Sequence, residues 1–121
     1  MRLERDAAPG IHRIEDAFTN WYLVEADDGL TVVDAGVRGA WPSLGEAVGA
    51  IGRRLDEVRA ILLTHAHFDH IGFAERARRE LGVAVHVHED DAPLAARPCQ
   101  YAHEQPRSLY FATQGRALPI V

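Results

Sequence analysis

Apolar, β-branched and aromatic residues are concentrated in short stretches of the first third of the chain, bounded by polar or turn residues, which is typical of β-strands. Three stretches show it, at residues 10–15, 20–25 and 30–34. The sequence Asp27-Asp28-Gly29, between the second and third stretches, is a strong turn signal. We therefore predict that residues 21–34 form a hairpin whose second strand ends at Asp34.

Further along the chain, apolar residues recur at the spacing of a helix. Apolar residues three or four positions apart predict helices over residues 42–52, 71–81 and 89–96. Pro42 suits the first turn of the first helix, and Gly82 is well placed to end the second. These signals predict where the helices begin and end as well as where they lie.

Two further strands are predicted between the helices. Residues 58–64 form a near-continuous apolar run, which is typical of a strand that is buried on both faces. Residues 83–88 alternate apolar with small or polar side chains and are also predicted to be a strand. From Arg97 onward the pattern dissolves, and residues 109–111 form the one compact apolar cluster in that tail.

The predicted order of elements is βββαβαβ(α), which belongs to the α/β class. A sheet has two faces that must be covered, and this chain supplies helices for about one of them. The other face of the sheet is therefore expected to be uncovered, which favours self-association as a homodimer.

Composition and charge exclude several classes of protein. The chain has 121 residues, with 13 basic and 18 acidic side chains and a net charge of −5. Its basic residues form no stripe that could neutralise a phosphate backbone, so we expect no nucleic-acid partner. No apolar run reaches the roughly 18 residues of a membrane helix and the first residues lack a signal peptide, so we expect a cytoplasmic protein without a membrane partner. Cys99 is the single cysteine and cannot form an internal disulfide.

The chemistry is concentrated directly after the apolar run at residues 58–64. Three histidines and one aspartate fall within six positions, as His65, His67, Asp69 and His70. Imidazole and carboxylate groups at this spacing are ligands for first-row metals, and a loop at a strand end can hold them against solvent. The alternative is a polar loop with incidental histidines. Four potential ligands in six positions favour metal binding.

These residues carry a family resemblance. The segment Thr64 to Gly72 resembles the H-x-H-x-D-H signature of the metallo-β-lactamase superfamily of metallohydrolases. Residues 20–24, residues 30–36 (which end in Asp-Ala-Gly) and residues 85–89 are similar to the flanking strands of that family. The resemblance covers about residues 10–96.

The resemblance implies a fold and a reaction. The family fold is an αββα sandwich, of which this chain resembles the N-terminal half. Two metal ions share a hydroxide that attacks an ester, thioester, lactone or similar bond of a small-molecule substrate. The metals are expected to be zinc, with iron or manganese as alternatives. The intact Asp69-His70 pair favours glyoxalase II-like thioesterases and lactonases over antibiotic-degrading enzymes.

The resemblance also assigns roles to individual residues. His65 and His67 would hold the first metal, and Asp69 and His70 the second, with Asp69 also the catalytic carboxylate. Asp34 resembles the buried aspartate that supports the ligand loop, although an ordinary turn residue is an equal alternative. The sequence favours a ligand or pocket role less strongly for the other histidines and for the aromatic residues. His86 and His88 are expected to be a polar strand face rather than ligands, His12 and His103 surface residues, and Trp21, Tyr22 and Phe68 core rather than pocket.

One departure from the family pattern affects the expected activity. After this region the family supplies a third histidine for the first metal, a bridging aspartate and a last histidine for the second metal. Beyond Asp91 this chain has only His103 and no aspartate. We therefore expect residues 1–121 to form one truncated domain that hydrolyses its substrate only when a second half is provided. The alternatives are an inactive metal-binding remnant and a self-associating interaction module.

Overall fold

A six-stranded mixed sheet forms the centre of the molecule in the computed structural model, which describes residues 1–97. The strands and helices follow one another along the chain as β1 Arg2–Ala8, β2 Ile11–Asp16, β3 Thr19–Ala26, β4 Gly29–Val33, α1 Trp41–Ala50, β5 Val58–Leu62, α2 Ala74–Leu81, β6 Ala84–His86 and α3 Ala92–Ala96. Short 3-10 turns lie at Arg38–Ala40, Leu55–Glu57 and Glu89–Asp91. In the described part of the chain, no helix has the length and apolar character needed to cross a bilayer.

The strands lie in the sheet in the same order as along the chain. β1 to β4 are antiparallel neighbours joined by tight turns, whereas β4, β5 and β6 are parallel. Parallel neighbours need crossover connections, and α1 and α2 provide them. The carboxyl ends of β4, β5 and β6 consequently meet at one edge of the sheet.

Both longer helices pack on the same face of the sheet. Register partners Leu23, Val32 and Ile61 lie side by side on that face and are fully buried. Leu44 of α1 and Ala77 of α2 belong to the same core cluster. The expectation that helices cover one face is confirmed for the described residues.

The opposite face of the sheet is only partly covered by residues 1–97. Tyr22 pairs with Val33, which pairs with Leu62, so the three side chains form a row across neighbouring strands. Tyr22 and Val33 are half-buried, and Leu62 is 44% exposed. Trp21 and Phe68, by contrast, are core residues as expected.

The first strand, β1, was not predicted. Its seven residues include four charged side chains, so no apolar alternation marks it. It is an edge strand that pairs only with β2, and Leu3 is its one residue packed against the core. An edge strand can be this polar because its pairing depends on backbone hydrogen bonds.

The prediction that His12 is a surface residue was wrong. Its side chain lies on the helix-covered face of β2 and is 2% exposed. Its Nδ1 accepts a hydrogen bond from the Asp6 backbone N–H, and its Nε2 lies 3.0 Å from Glu25 Oε1. The burial is tolerated because both ring nitrogens have partners. His103, Cys99 and residues 109–111 lie outside the described residues.

The remaining predicted elements are present with shifted ends. The strand predicted at 58–64 ends at Leu62, and the strand predicted at 83–88 covers three residues, Ala84–His86. The helix predicted from residue 71 begins at Ala74. The helix predicted at 89–96 divides into a 3-10 turn and α3. Near the histidine-rich segment, residues 64–70, the N–H groups of Leu63, Gly72 and Phe73 make bonds to other elements instead.

Candidate metal centre

The histidine-rich segment lies where the parallel strands end. Asp34 directly follows β4, and Thr64 to His70 follow β5. This edge is where α/β sheets place their ligand sites, because loops from neighbouring strands converge there. Asp34 has a left-handed backbone, with φ of 64°, which aspartate adopts more readily than most residues.

The Asp34 carboxylate is hydrogen-bonded to two residues of the histidine-rich segment and is only 4% exposed. It accepts hydrogen bonds from the Thr64 backbone N–H at 2.8 Å, from Thr64 Oγ1 at 2.8 Å and from His70 Nδ1 at 3.0 Å. Burial alone would raise the pKa of Asp34, but these bonds from His70 and Thr64 outweigh it and lower the pKa below its ordinary value. Asp34 is therefore held as a carboxylate at neutral pH.

Hydrogen bonds fix the tautomers of two histidines. His70 directs Nδ1 at the Asp34 carboxylate, so Nδ1 carries the proton and Nε2 is the nitrogen with a lone pair. His65 Nδ1 lies 2.9 Å from Thr64 Oγ1, whose own proton is donated to Asp34. His65 Nδ1 must then be the donor, which leaves its Nε2 as the acceptor as well. One carboxylate thus fixes the tautomers of two imidazoles and leaves an acceptor nitrogen on each.

The two histidines have opposite pKa shifts. Burial, followed by the nearby His70 and His67, lowers the pKa of His65 and keeps its ring neutral. The hydrogen bond to Asp34 is the main cause that raises the pKa of His70, and the negative charge of Asp69 adds to it. Asp69 Oδ2 lies 3.5 Å from His70 Nε2, so the second proton of the charged His70 ring, which is carried on that nitrogen, faces a carboxylate.

The rings of the three histidines are adjacent, with His65 in the middle. The His65 and His67 ring centroids are 4.7 Å apart at 78°, and those of His65 and His70 are 4.1 Å apart at 47°. One Asp34 oxygen and one nitrogen each from His65 and His70 lie within 4.8 Å of one another. The four predicted ligand residues therefore form one contiguous group, with Asp69 against His70.

The donor chemistry of this group fits a divalent transition metal. Neutral imidazole nitrogens and a carboxylate suit zinc, iron and manganese. Asp34 lies close enough to be a ligand, but its two oxygens already accept three hydrogen bonds. These hydrogen bonds fit a residue that orients His65 and His70.

Backbone hydrogen bonds join the Asp34 loop to the end of the histidine-rich segment. Ala35 N–H donates to the His70 carbonyl at 2.6 Å, and Gly72 N–H donates to the Gly36 carbonyl at 2.7 Å. Phe73 N–H donates to the Ala35 carbonyl at 3.0 Å. These bonds occupy the backbone of residues 70–73, and α2 therefore begins three residues later than predicted. A Cβ atom at Gly72 would overlap the backbone of Val37 and Arg38.

A carboxylate that the sequence analysis did not single out also contacts the segment. Asp91 Oδ2 accepts a hydrogen bond from the Ala66 backbone N–H at 3.1 Å. The available signal was topological, because residues that follow β6 must lie at the same edge as those that follow β5. His86 and His88 are exposed and lie outside the group around Asp34.

Comparison with known proteins gives a consistent result. The sequence profile of the metallo-β-lactamase superfamily matches residues 14–110. The probable metallo-hydrolase YflN of Bacillus subtilis (strain 168) is 30% identical over 109 residues, a match that covers 85% of this chain and 40% of YflN. The uncharacterized protein YobT of the same organism is 32% identical over 90 residues, covering 74% of this chain and 37% of YobT.

Solved structures of metallo-β-lactamases share the fold. The enzyme from Cronobacter sakazakii is 27% identical with a TM-score of 0.67, and the match covers 74% of this chain and 34% of that one. The class B3 di-zinc enzyme LRA-12 from an Alaskan soil metagenome is 24% identical with a TM-score of 0.71, covering 78% and 35%. The α/β fold class is thereby confirmed, and this chain corresponds to part of the fold.

Proposed function

The chain belongs to the metallo-β-lactamase superfamily, and on that premise we propose that it binds divalent metal, zinc first, as the N-terminal part of a metal-dependent hydrolase site. One observation carries the proposal: the Asp34 carboxylate fixes His65 and His70 as tautomers with Nε2 available. Buried hydrogen bonds of this kind orient metal-binding histidines in proteins. A polar loop without a ligand has no need of them.

Each residue of the group has a proposed role. His65 and His67 hold one cation, and Asp69 and His70 hold a second. When bound, such a cation supplies water that is activated for attack and polarises the scissile bond. Asp34 keeps the Nδ1 proton on His70 and, through Thr64, on His65. Asp69 places negative charge beside the acceptor nitrogen of His70, which strengthens that nitrogen as a ligand.

The proposed substrate class is a small molecule with an ester, thioester, lactone or similar bond. The chain spans 40% of YflN and 37% of YobT. We therefore propose hydrolysis of this substrate class only for a site in which a second half adds to the residues of this chain. A catalytic zinc ordinarily has three protein ligands, and the proposed assignment gives each metal two. We therefore propose weak metal binding by residues 1–121 alone.

Calorimetric titration with zinc tests the metal-binding part directly. We expect binding by the wild-type chain and a loss of affinity of about tenfold or more in His67→Ala, because a ligand is removed. His86→Ala is the matched control, since His86 lies outside the group around Asp34. Equal affinities in wild type and His67→Ala would contradict the proposal. Parallel titrations with Fe²⁺ and Mn²⁺ show which of the three metals the chain binds most tightly.

A second candidate is a self-associating module without turnover. It is favoured by the row of Tyr22, Val33 and Leu62 on the sheet face opposite α1 and α2, which residues 1–97 leave partly uncovered. A second copy of the chain could cover these side chains. Sedimentation should then show dimers that Leu62→Lys dissociates, while Phe18→Ser, a change at an exposed hairpin residue, leaves them intact. A monomer at high concentration would contradict this candidate.

A further inference from the structure

Asp91 reaches the centre of the histidine-rich segment from a different element. It ends the 3-10 turn Glu89–Asp91 that follows β6, and its Oδ2 accepts the Ala66 backbone N–H at 3.1 Å. Ala66 is fully buried and lies between His65 and His67. A buried amide must be paired, so this carboxylate determines where the Ala66 backbone can lie.

An aspartate at this position of the sequence could be a simple helix cap, but the contacts do not support that explanation. Asp91 is the N-cap residue of α3, where aspartate commonly accepts a hydrogen bond from the first turn of its own helix. Here the side chain makes no such bond. The carboxylate is directed away from α3 and onto a residue 25 positions earlier.

The strand that precedes the turn carrying Asp91 is fixed against β5. Leu62 pairs with His86 in the parallel register, and the Leu63 N–H donates to the His86 carbonyl at 2.8 Å. The turn that carries Asp91 follows this strand after two residues. On the other side of His65, the Thr64 N–H donates to Asp34. The backbone is thus held by carboxylates at the residues directly before and after His65.

We propose that Asp91 is a positioning residue, which holds the Ala66 amide so that His65 and His67 point to a common metal. The directions of these two side chains follow from the orientation of the peptide units on either side of Ala66. This inference rests on the proposed metal-binding function. The histidine-rich segment is then supported from both neighbouring strands, by Asp34 after β4 and by Asp91 after β6.

Amide hydrogen exchange in the metal-free chain tests the contact itself. We expect the Ala66 amide to exchange slowly in wild type and fast in Asp91→Ala. Asp91→Asn should restore slow exchange, because its side-chain carbonyl can accept the same bond. Asp90→Ala is the matched control, since that neighbouring side chain is 86% exposed. Slow exchange at Ile61 in every variant verifies that the core is intact.

Zinc titration and the visible spectrum of the cobalt(II)-loaded chain test the consequence. Asp91→Ala should weaken zinc binding by about tenfold and change the cobalt spectrum, whereas Asp91→Asn and Asp90→Ala should resemble wild type. Unchanged Ala66 exchange in Asp91→Ala, or altered exchange with unchanged affinity and spectrum, would overturn the positioning role. A wild-type chain that binds no metal would instead overturn the proposed function, and the Ala66 exchange rates would still decide whether Asp91 holds this segment.

Discussion

His70 Nδ1 lies 3.0 Å from Asp34 Oδ2, across 36 positions of sequence. This hydrogen bond joins the loop after β4 to the segment after β5. The same carboxylate accepts two hydrogen bonds from Thr64. The orientation of His65 and His70 therefore depends on a residue that follows a different strand, which gives the proposed metal centre a rigid base in the sheet.

Replacement of Asp34 should weaken metal binding more than it damages the fold. Asp34→Asn keeps a residue that tolerates a left-handed backbone, but its single side-chain oxygen cannot replace both carboxylate oxygens. Either the Thr64 N–H or the pair of Thr64 Oγ1 and His70 Nδ1 then loses its acceptor. We expect zinc affinity to fall by about tenfold or more. The free energy of unfolding should fall by about 1–3 kcal/mol, because a buried donor loses its partner. Calorimetry and urea unfolding measure the two effects.

The control for this substitution is Asp27→Asn, at an exposed position in the β3–β4 turn. It changes the charge of the chain equally and is distant in sequence from the histidines. Equal zinc affinities in the two variants would show that Asp34 does not organise the site.

The His70 and Asp34 pair should make the stability of the metal-free chain depend on pH. The raised pKa of His70 means that its contribution is fully present below its ordinary value of 6.5 and is lost as the pH rises through the raised pKa. The lowered pKa of Asp34 means that its contribution is present above 3.8 and is lost as the pH falls through the lowered pKa. The pair is therefore strongest between these two values.

Urea unfolding in the presence of a chelator checks this expectation. The loss of unfolding free energy on His70→Ala should be larger at about pH 5.5 than at about pH 9. In an Asp34→Asn background the pH dependence of that loss should become smaller, because the main partner is absent and only Asp69 still faces the ring. A loss that grows as the pH rises would contradict the assigned interaction.

Gly72 should not tolerate any side chain. A Cβ atom there would overlap the Val37 carbonyl carbon and the Arg38 nitrogen, which belong to the loop after Asp34. We expect Gly72→Ala to lower the unfolding free energy by about 1–3 kcal/mol or more. Gly49→Ala is the matched control, since nothing lies within 4 Å of its Cβ position in α1. That change should be neutral or stabilising by up to about 1 kcal/mol, and thermal or urea unfolding of both variants measures the difference.

Turnover by residues 1–121 alone should be absent. We expect hydrolysis of thioester, lactone and phosphodiester test substrates to be no faster than with His67→Ala, because each proposed metal has two protein ligands where a catalytic zinc ordinarily has three. The assay compares zinc-loaded wild type and variant at equal concentration. Activity of the wild type clearly above that of the variant would show that this chain suffices for catalysis.

Local patterns in the sequence predicted the central strands and both longer helices. Trp21 and Ile61 lie in apolar stretches because they are buried against the helices. The prediction that the strand at 58–64 is buried on both faces was wrong for the described residues, since Leu62 on the other face is 44% exposed. The family motif indicated the fold. Those same patterns could not predict β1, because an edge strand is held by backbone bonds and its residues are mostly charged.

The contacts within the site depend on tertiary structure that local patterns do not contain. The motif indicated His65 to His70 as a group, but the Asp91 contact with Ala66 joins elements 25 positions apart. The burial of His12 likewise depends on partners from β1 and β3. The late start of α2 follows from backbone bonds between residues 70–73 and the loop after Asp34. Such pairings become visible only when the strands are placed side by side.

Long-range ¹H–¹⁵N spectra of the imidazole rings, recorded with and without zinc, test the central claim most directly. They report which ring nitrogen of each histidine carries a proton and which one binds metal. Without zinc, Nδ1 of His65 and His70 should be protonated. With zinc, the Nε2 resonances of both should shift, while those of His12 and His86 stay unchanged. Zinc-induced shifts confined to His86 or His88, or no shift at all, would contradict the assignment of the metal centre to this segment.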